Sequence, residues 1–531
     1  MQIKTKHIFT IILALFVRCN LYAQINHYAI SPGLVLPELT ISHNKTLISD
    51  GNIPELPTYI DNSTSIFFPE IINQYGGSCA QASGIHYLFT YEMNRVLERN
   101  TKSDSKNNTF SYRYTWHYLN DGQEKGSSSS DGIKIIMTSG CPTVANYGNE
   151  NESSYRWISG YSKYYNAMHY KAKSMSKVDL RTHDGIEKLR YYMYDKDDGH
   201  PGGGIASFAV HGDWGIYNYS GPSQTDITYI MQPKGAGGAH AMTLVGYDMS
   251  VEFDCDNDGI IMDDEKGAFI FVNSWGTWWG TDGKAYMPFS AFTRESGHGG
   301  FYPHGDDPEA LCVDAEYHEP SLAMQVNMEY TSRNDITMRF GVADGAQATH
   351  PDKGCYVEYD NVMKAQGGDW VMQGTYSSDG KNIEMGFDLS ELKAAADTMK
   401  APCWFLIISK IVTGKNGAGT VNAIRIHDYR SGTEIVKSQA IRGQEAVLSA
   451  GTKYLKIPTK DWFKDASGKW YNPVKTAASG YVANTNYMKA FDWNKIIAVK
   501  KADGGYSKVK FTNYDPKTKK LKFVVNNYEI K

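Results

Sequence analysis

The sequence predicts an α+β chain in which a helical first part is followed by a β-rich second part and then by a mostly-β sandwich region. Three observations carry this. Ile85, Phe89, Met93 and Val96 recur at helical spacing after Cys79. Short β-prone runs, Gly204 to Val210, His240 to Tyr247, Ala268 to Asn273 and Gly283 to Pro288, alternate with glycine-rich turns. Beyond Pro320, strand signals recur at regular spacing, at Leu322 to Tyr330, Asp335 to Val342, Lys381 to Phe387, Trp404 to Ile411 and Val421 to Ile426.

At 531 residues the chain is long enough for roughly three domains at ~150 residues each. Its net charge of -4 supplies no electrostatic basis for binding nucleic acid. Residues 1–23 read as a signal peptide, with Lys4 and Lys6 before an apolar run from Ile8 to Val17 and a cleavage site after Ala23. That run is shorter than the about 20 residues that cross a bilayer, and no later stretch reads as a membrane anchor, so an exported product is expected. Removal of Cys19 leaves six cysteines, among which Cys355 and Cys403 either form one bridge or remain as two buried thiols.

Residues 24–55 read as an extended leader or short prosegment, rich in turns such as Ser31-Pro32-Gly33. A loop then leads to Asn73-Gln74-Tyr75-Gly76-Gly77-Ser78-Cys79-Ala80, which places a sulfur at a helix N-terminus. The dipole and the unpaired N–H groups there favour a thiolate, so a lowered thiol pKa is expected. A second helix spans Phe110 to Leu119, the four serines of the 126–132 stretch form a loop, and Ile133 to Ser139 is a helix ended by Gly140-Cys141-Pro142. His86 lies within the first helix as a packing residue. His298, His304, Asp306 and Asp307 fall in a solvated glycine loop.

A cysteine nucleophile needs a base, and the base needs a group that fixes its ring. Gly237-Gly238-Ala239-His240-Ala241 puts a histidine after a glycine loop at the mouth of an apolar strand. Asn273-Ser274-Trp275-Gly276-Thr277-Trp278-Trp279-Gly280 ends another strand with an amide that can accept the imidazole N–H, among indoles that exclude water. These segments resemble the papain-like cysteine peptidases, whose Cys, His and Asn occur in that chain order. The resemblance covers about Leu56 to Phe292. It implies a two-lobed catalytic domain, a helical lobe plus a β-barrel-like lobe, acting on protein or peptide substrates with no catalytic cofactor.

Carried onto this chain, the resemblance makes Cys79 the nucleophile, His240 its imidazolium partner and later general acid and base, and Asn273 the orienting group. Gln74 and the Cys79 N–H become the oxyanion donors. Trp275 shields the His240 to Asn273 contact, Trp279 packs behind it, and Gly238 borders the cleft. The family's Cys-Gly-Ser-Cys-Trp is replaced here by Gly76-Gly77-Ser78-Cys79-Ala80, with Gln74 one residue nearer the nucleophile, which leaves Asn73 as a substitute donor. Serine hydroxyls of the 127–132 stretch are expected along the substrate wall. An alternative reading is a catalytically weakened binding protein that keeps this fold.

Between the His240 and Asn273 strands, residues 254–265 fit D-x-[DN]-x-[DN]-G-x5-E. Asp254, Asp256, Asp258, the Ile260 carbonyl and a bidentate Glu265 can converge on Ca2+, with Gly259 at the sharp turn. The expected layout is therefore a catalytic domain at 56–318, a β-sandwich at 319–442 and a small β-rich module or sandwich extension at 443–531. Surface aromatics of the last regions, Trp370, Trp462 and Trp470, are candidates for glycan contacts, with strand packing as the other reading.

Overall fold

The computed structural model describes residues 55–148, 155–295, 298–301, 308–345, 348–359, 370–374, 380–410 and 417–432, and from 435 onward the backbone of the strands. The signal peptide and leader, together with His304, Asp306 and Asp307, lie outside the described residues, as do the side chains of Trp462 and Trp470. Two compact units are present. One holds His27–Glu319 and Tyr359–Gly380; the other holds Pro320–Glu358 and Lys381–Lys531.

In the first unit, helix α1 starts at Cys79. It runs as Cys79–Gln81, continues as a π-helical stretch Ala82–Phe89 and ends as Thr90–Val96. Ile85, Leu88, Phe89 and Met93 are fully buried, as the apolar spacing requires. Around it stand α2 (Tyr112–Leu119), α3 (Ser129–Ser139), α4 (Tyr161–Met168) and α5 (His183–Tyr194). Thr182 caps α5 by accepting from the Gly185 N–H at 3.0 Å. His86 is buried with its Nε2 2.9 Å from the Glu70 carbonyl, and burial brings its pKa down to about 4, as suits a packing residue.

A seven-stranded sheet faces these helices. Its strands are β1 (Tyr59–Asp61), β2 (Tyr170–Asp179), β3 (Ala206–Asn218), β4 (Tyr229–Glu252), β5 (Lys266–Val272), β6 (Lys284–Pro288) and β7 (Glu309–Tyr317). They follow the order β2-β7-β3-β4-β5-β6, with β1 on β4. The β4 strand is much longer than its apolar run. Gly235 to Gly238, expected as a loop, lies inside it, because the partner β3 follows it through bulges between His211 and Trp214. The sheet core joins residues such as Leu189, Phe208, Met231, Leu244, Phe271 and Met287. The described cysteines are all free thiols, Cys355 and Cys403 included.

Side-chain hydrogen bonds seat α1 on the sheet and against the serine stretch and α2. Ser83, one turn beyond Cys79, donates to the Met242 carbonyl at 2.6 Å and lies 2.7 Å from Ser207 Oγ and 2.9 Å from Thr243 Oγ1. Gln81, fully buried, donates to Ser127 Oγ at 3.0 Å and to the Ser128 carbonyl at 2.8 Å, while its own oxygen accepts from Thr115 at 2.8 Å. Ser129 donates to the Ala80 carbonyl at 2.9 Å. The 127–129 serines therefore hold the start of α1, and the stretch expected as a loop is helix from Ser129 onward.

The second unit contains two antiparallel four-stranded sheets. Its strands, in chain order, are β8 (Leu322–Tyr330), β9 (Ile336–Asp344), β10 (Tyr356–Glu358), β11 (Asn382–Asp388), β12 (Pro402–Lys410), β13 (Gly419–Asp428), β14 (Ile435–Val447) and β15 (Thr452–Ile457). The sheets are ordered β10-β9-β12-β15 and β11-β8-β13-β14. Phe340 and Phe387, one from each sheet, meet at a tilt with centroids 4.4 Å apart. The boundary expected at 442/443 falls inside β14, and β15 pairs with β12, so this pairing extends to residue 457. A further five-stranded sheet lies within 463–528.

Candidate active site

The strand register brings His240 and Asn273 together. Val272, the last residue of β5, pairs with Thr243 of β4, so the chain leaves β5 at Asn273 beside the His240 end of its neighbour. His240 Nε2 lies 2.9 Å from Asn273 Oδ1. The same Oδ1 accepts from the Ser274 N–H at 2.7 Å, which fixes which way the amide points. An amide oxygen only accepts, so the imidazole proton sits on Nε2 and Nδ1 is the unprotonated, basic nitrogen.

Cys79 begins α1, and the backbone N–H groups of Ala241, the residue after His240, and of Ala80 and Cys79 itself favour a thiolate there. Burial pushes the thiol up against the pull of these N–H groups, and the net direction is upward. The expected lowering of the thiol pKa by the helix N-terminus is thus reversed, because the N–H donors are present but desolvation of a thiolate outweighs them. His240 moves the opposite way: burial pushes it below its ordinary value, partly offset by the bond to Asn273. Both shifts favour neutral groups, a thiol beside a neutral imidazole, in place of the expected thiolate and imidazolium.

Two indoles pack against the histidine and a third lies behind them. Trp275 lies with its ring centroid 4.7 Å from His240, and Trp214 stacks at 6.2 Å from His240 and 5.4 Å from Trp275. Trp279, buried, meets Trp275 edge-on at 6.2 Å. Trp214 was not marked by sequence, since it sits on β3 with no motif around it and reaches the site only through the β3 to β4 pairing. Trp278, within the same tryptophan run, is instead 76% exposed. Gly238 is exposed, with open space where a side chain would stand.

The approach to Cys79 is tied to the loop after Asn273. Asn73 and Trp275 form an isolated antiparallel bridge, Gln74 N–H donates to the Ser274 carbonyl at 2.7 Å, and Gly276 N–H donates to Ile72 at 2.9 Å. The Gln74 side chain lies between them: its oxygen accepts from Ser274 Oγ, and its Nε2 donates to the Gly76 carbonyl at 2.8 Å, leaving a second N–H on the same nitrogen. Gly76 has φ +55, and its missing side chain is replaced by Glu124 packed within 3.1 Å of where a Cβ would be. Asn73, the alternative donor, is exposed.

Away from this cleft, the 254–265 loop joins β4 to β5. Carboxylate oxygens of Asp254, Asp256 and Glu265 lie within 4.8 Å of one another. Asp254 accepts from the N–H of Asp258 at 3.1 Å and of Gly259 at 2.8 Å, with Gly259 at φ +85, and Glu265 accepts from the N–H groups of Cys255 and Met262, both at 2.9 Å. Asp258 accepts from the Ile260 N–H at 2.7 Å, and Ile260 is exposed. An all-oxygen carboxylate set suits a hard cation. Sequence reasoning missed Arg294, whose guanidinium contacts Asp256 at 2.9 Å, Glu265 at 2.8 Å and Asp264 at 2.8 and 2.9 Å. It lies far along the chain and supplies the positive charge of this cluster from protein.

No family model and no curated protein matches the sequence. Among solved structures the chain is similar to xylellain, a cysteine protease from Xylella fastidiosa, at 17% identity and a TM-score of 0.33, over 53% of this chain and 94% of that one. It is similar to procathepsin B S9 from Trypanosoma congolense at 12% identity and a TM-score of 0.34, over 54% and 85%. It is also similar to the bromelain protease from Ananas comosus at 15% identity and a TM-score of 0.29, over 49% and 99%. The chain resembles papain-like cysteine proteases. That resemblance spans about half of the chain, and the functional reading rests on the chain's own side chains.

The neutral pair has a measurable signature in the substrate-free protein. Because burial raises the thiol, the rate of Cys79 alkylation by iodoacetamide is expected to keep climbing with pH beyond the ordinary thiol value of about 8.5. A rate already flat across about pH 5 to 8 would instead show a preformed thiolate and imidazolium.

Proposed function

We propose that the chain is an exported cysteine-type endopeptidase with papain-like architecture, and that Cys79, His240 and Asn273 carry its chemistry. The observation that carries this reading is the Asn273 oxygen shared between the Ser274 N–H and His240 Nε2, which leaves Nδ1 as a base beside the cysteine helix. As the sulfur attacks a peptide carbonyl carbon, Nδ1 takes the thiol proton, a C–S bond forms and the carbonyl π pair moves to oxygen. The Cys79 N–H and the second Gln74 Nε2 proton donate to that oxygen. Collapse breaks the C–N bond while Nδ1–H protonates the leaving amine. Water, deprotonated by Nδ1, then attacks the thioester, and the thiol leaves with its proton restored. Trp214 and Trp275 keep water from the His240 to Asn273 bond, where it would compete for the imidazole proton.

The two four-stranded sheets of the second unit, facing through Phe340 and Phe387, support a β-sandwich. The 254–265 loop supports a structural Ca2+ site, held by Asp254, Asp256, Asp258, the Ile260 carbonyl and Glu265, that stiffens the β4 to β5 connection and so the spacing of His240 and Asn273. Arg294 already neutralises part of that cluster, so the cation competes with a guanidinium. Trp370, one candidate for glycan contact, is 9% exposed and hydrogen-bonded within the first unit, which removes it from that role.

Two outcomes check this reading. Iodoacetamide or a peptidyl epoxide is expected to label Cys79 stoichiometrically, and Cys79→Ala to lower peptide hydrolysis by about 10^3-fold or more; a folded wild-type protein that neither labels nor hydrolyses contradicts it, and points to the binding-protein alternative. Millimolar Ca2+ is expected to raise the Tm by about 2 to 5 °C, and Asp254→Asn to abolish the rise. A Tm and an activity untouched by both calcium and chelator would remove the metal from the account.

A further inference from the structure

Residues Tyr359–Gly380 are flanked in sequence by strands of the second unit but belong to the first. Within them, residues 370–374 form a buried turn: Trp370, Val371 and Met372 are each at most 9% exposed. The Trp370 indole N–H donates to Asp121 Oδ1 at 3.0 Å, and the Gln373 carbonyl accepts from the Trp157 N–H at 2.9 Å. Asp121 has φ +60, and Gly122, at φ +68, lies so close under the turn that a Cβ would meet the Gly374 carbonyl at 2.5 Å. The turn therefore fixes the start of the 120–126 loop.

That loop reaches the nucleophile's approach. The Lys125 carbonyl accepts from Trp116 Nε1 at 2.9 Å, the Lys125 to Gly126 peptide lies 3.1 Å from where a Cβ on Gly77 would stand, and Glu124 fills the space beside Gly76. Gly76 in turn holds Gln74 through its carbonyl, and two residues beyond Gly77 is the N–H of Cys79. One continuous set of contacts thus runs from Trp370 to both groups proposed as oxyanion donors.

We propose that the 370–374 turn is a positioning element for the oxyanion side of the cleft, lent to the catalytic unit by a segment that interrupts the second unit's strands. Trp370 and Asp121 set the 120–126 loop, the loop sets the Gly76-Gly77 turn, and that turn fixes the separation of the Gln74 amide from the Cys79 N–H. This rests on the peptidase reading for its catalytic consequence, but the mechanical link stands on contacts alone. Oxyanion donors act only if they are held where the charge develops. Alkylation of the thiol by iodoacetamide develops no oxyanion, so it separates positioning of the donors from integrity of the nucleophile.

The test uses the full chain with Trp370→Phe, which keeps a ring and removes the N–H, and Asp121→Asn, which keeps an acceptor oxygen and tolerates positive φ. In Trp370→Phe, amide exchange at Gly76, Gly77 and the 120–126 loop is expected to quicken by about fivefold, the equivalent of one hydrogen bond. Peptide kcat is expected to fall by about three- to tenfold with KM unchanged, while Cys79 alkylation keeps its wild-type rate. Asp121→Asn is expected to match wild type in all three. Unchanged exchange at Gly76 and Gly77 in Trp370→Phe, or alkylation falling in step with kcat, overturns the proposal. Quickened exchange in a protein whose wild type cleaves no peptide would sustain the mechanical link and overturn the peptidase reading instead.

Discussion

Everything at the candidate site depends on one acceptor. Asn273 Oδ1 takes a hydrogen bond from the backbone next to it and another from His240, and because an amide oxygen cannot donate, the backbone bond dictates the histidine tautomer. The strand register supplies the distance, the Ser274 N–H supplies the orientation, and the result is a free lone pair on Nδ1, the ring nitrogen that does not face Asn273. Without the Ser274 bond the amide could turn over and present its NH2 group, and the imidazole would have no reason to carry its proton on Nε2.

Burial sharpens what that lone pair does. Partial burial disfavours charge on both partners, raising the cysteine and lowering the histidine. The three N–H groups around the sulfur moderate the cost of a thiolate without overcoming it. On the proposed peptidase reading, proton transfer is then part of the attack on substrate, when the growing oxyanion and its donors supply compensation. Trp214 and Trp275 against the His240 ring act in the same direction, because a water admitted beside His240 would both screen the pair and compete for its proton.

Much of this was legible in the sequence because it is written in short, local runs. Gly76-Gly77-Ser78-Cys79 and Asn273-Ser274-Trp275-Gly276 each hold their chemistry within a few residues, and the strands at Leu322, Ile336 and Asn382 follow from β-prone runs at regular spacing. The missing parts come from residues far apart in the chain. Trp214 meets His240 through a bulged strand pair, Arg294 reaches the 254–265 loop from a separate helix end, and Trp370 meets Asp121 across 249 residues. The β2 strand and the α4 and α5 helices were also missed, since their apolar positions are diluted by tyrosine and lysine. The upward push on the thiol was out of view for a different reason: the helix N-terminus is visible in sequence, but the burial that works against it is not.

The central claim is that His240 is neutral, with its proton on Nε2, in the substrate-free protein. Nitrogen NMR of the labelled imidazole reads this directly. At pH 7 the account predicts one protonated nitrogen at Nε2 and an unprotonated Nδ1; an imidazolium with both nitrogens protonated, or a single proton on Nδ1, would contradict it.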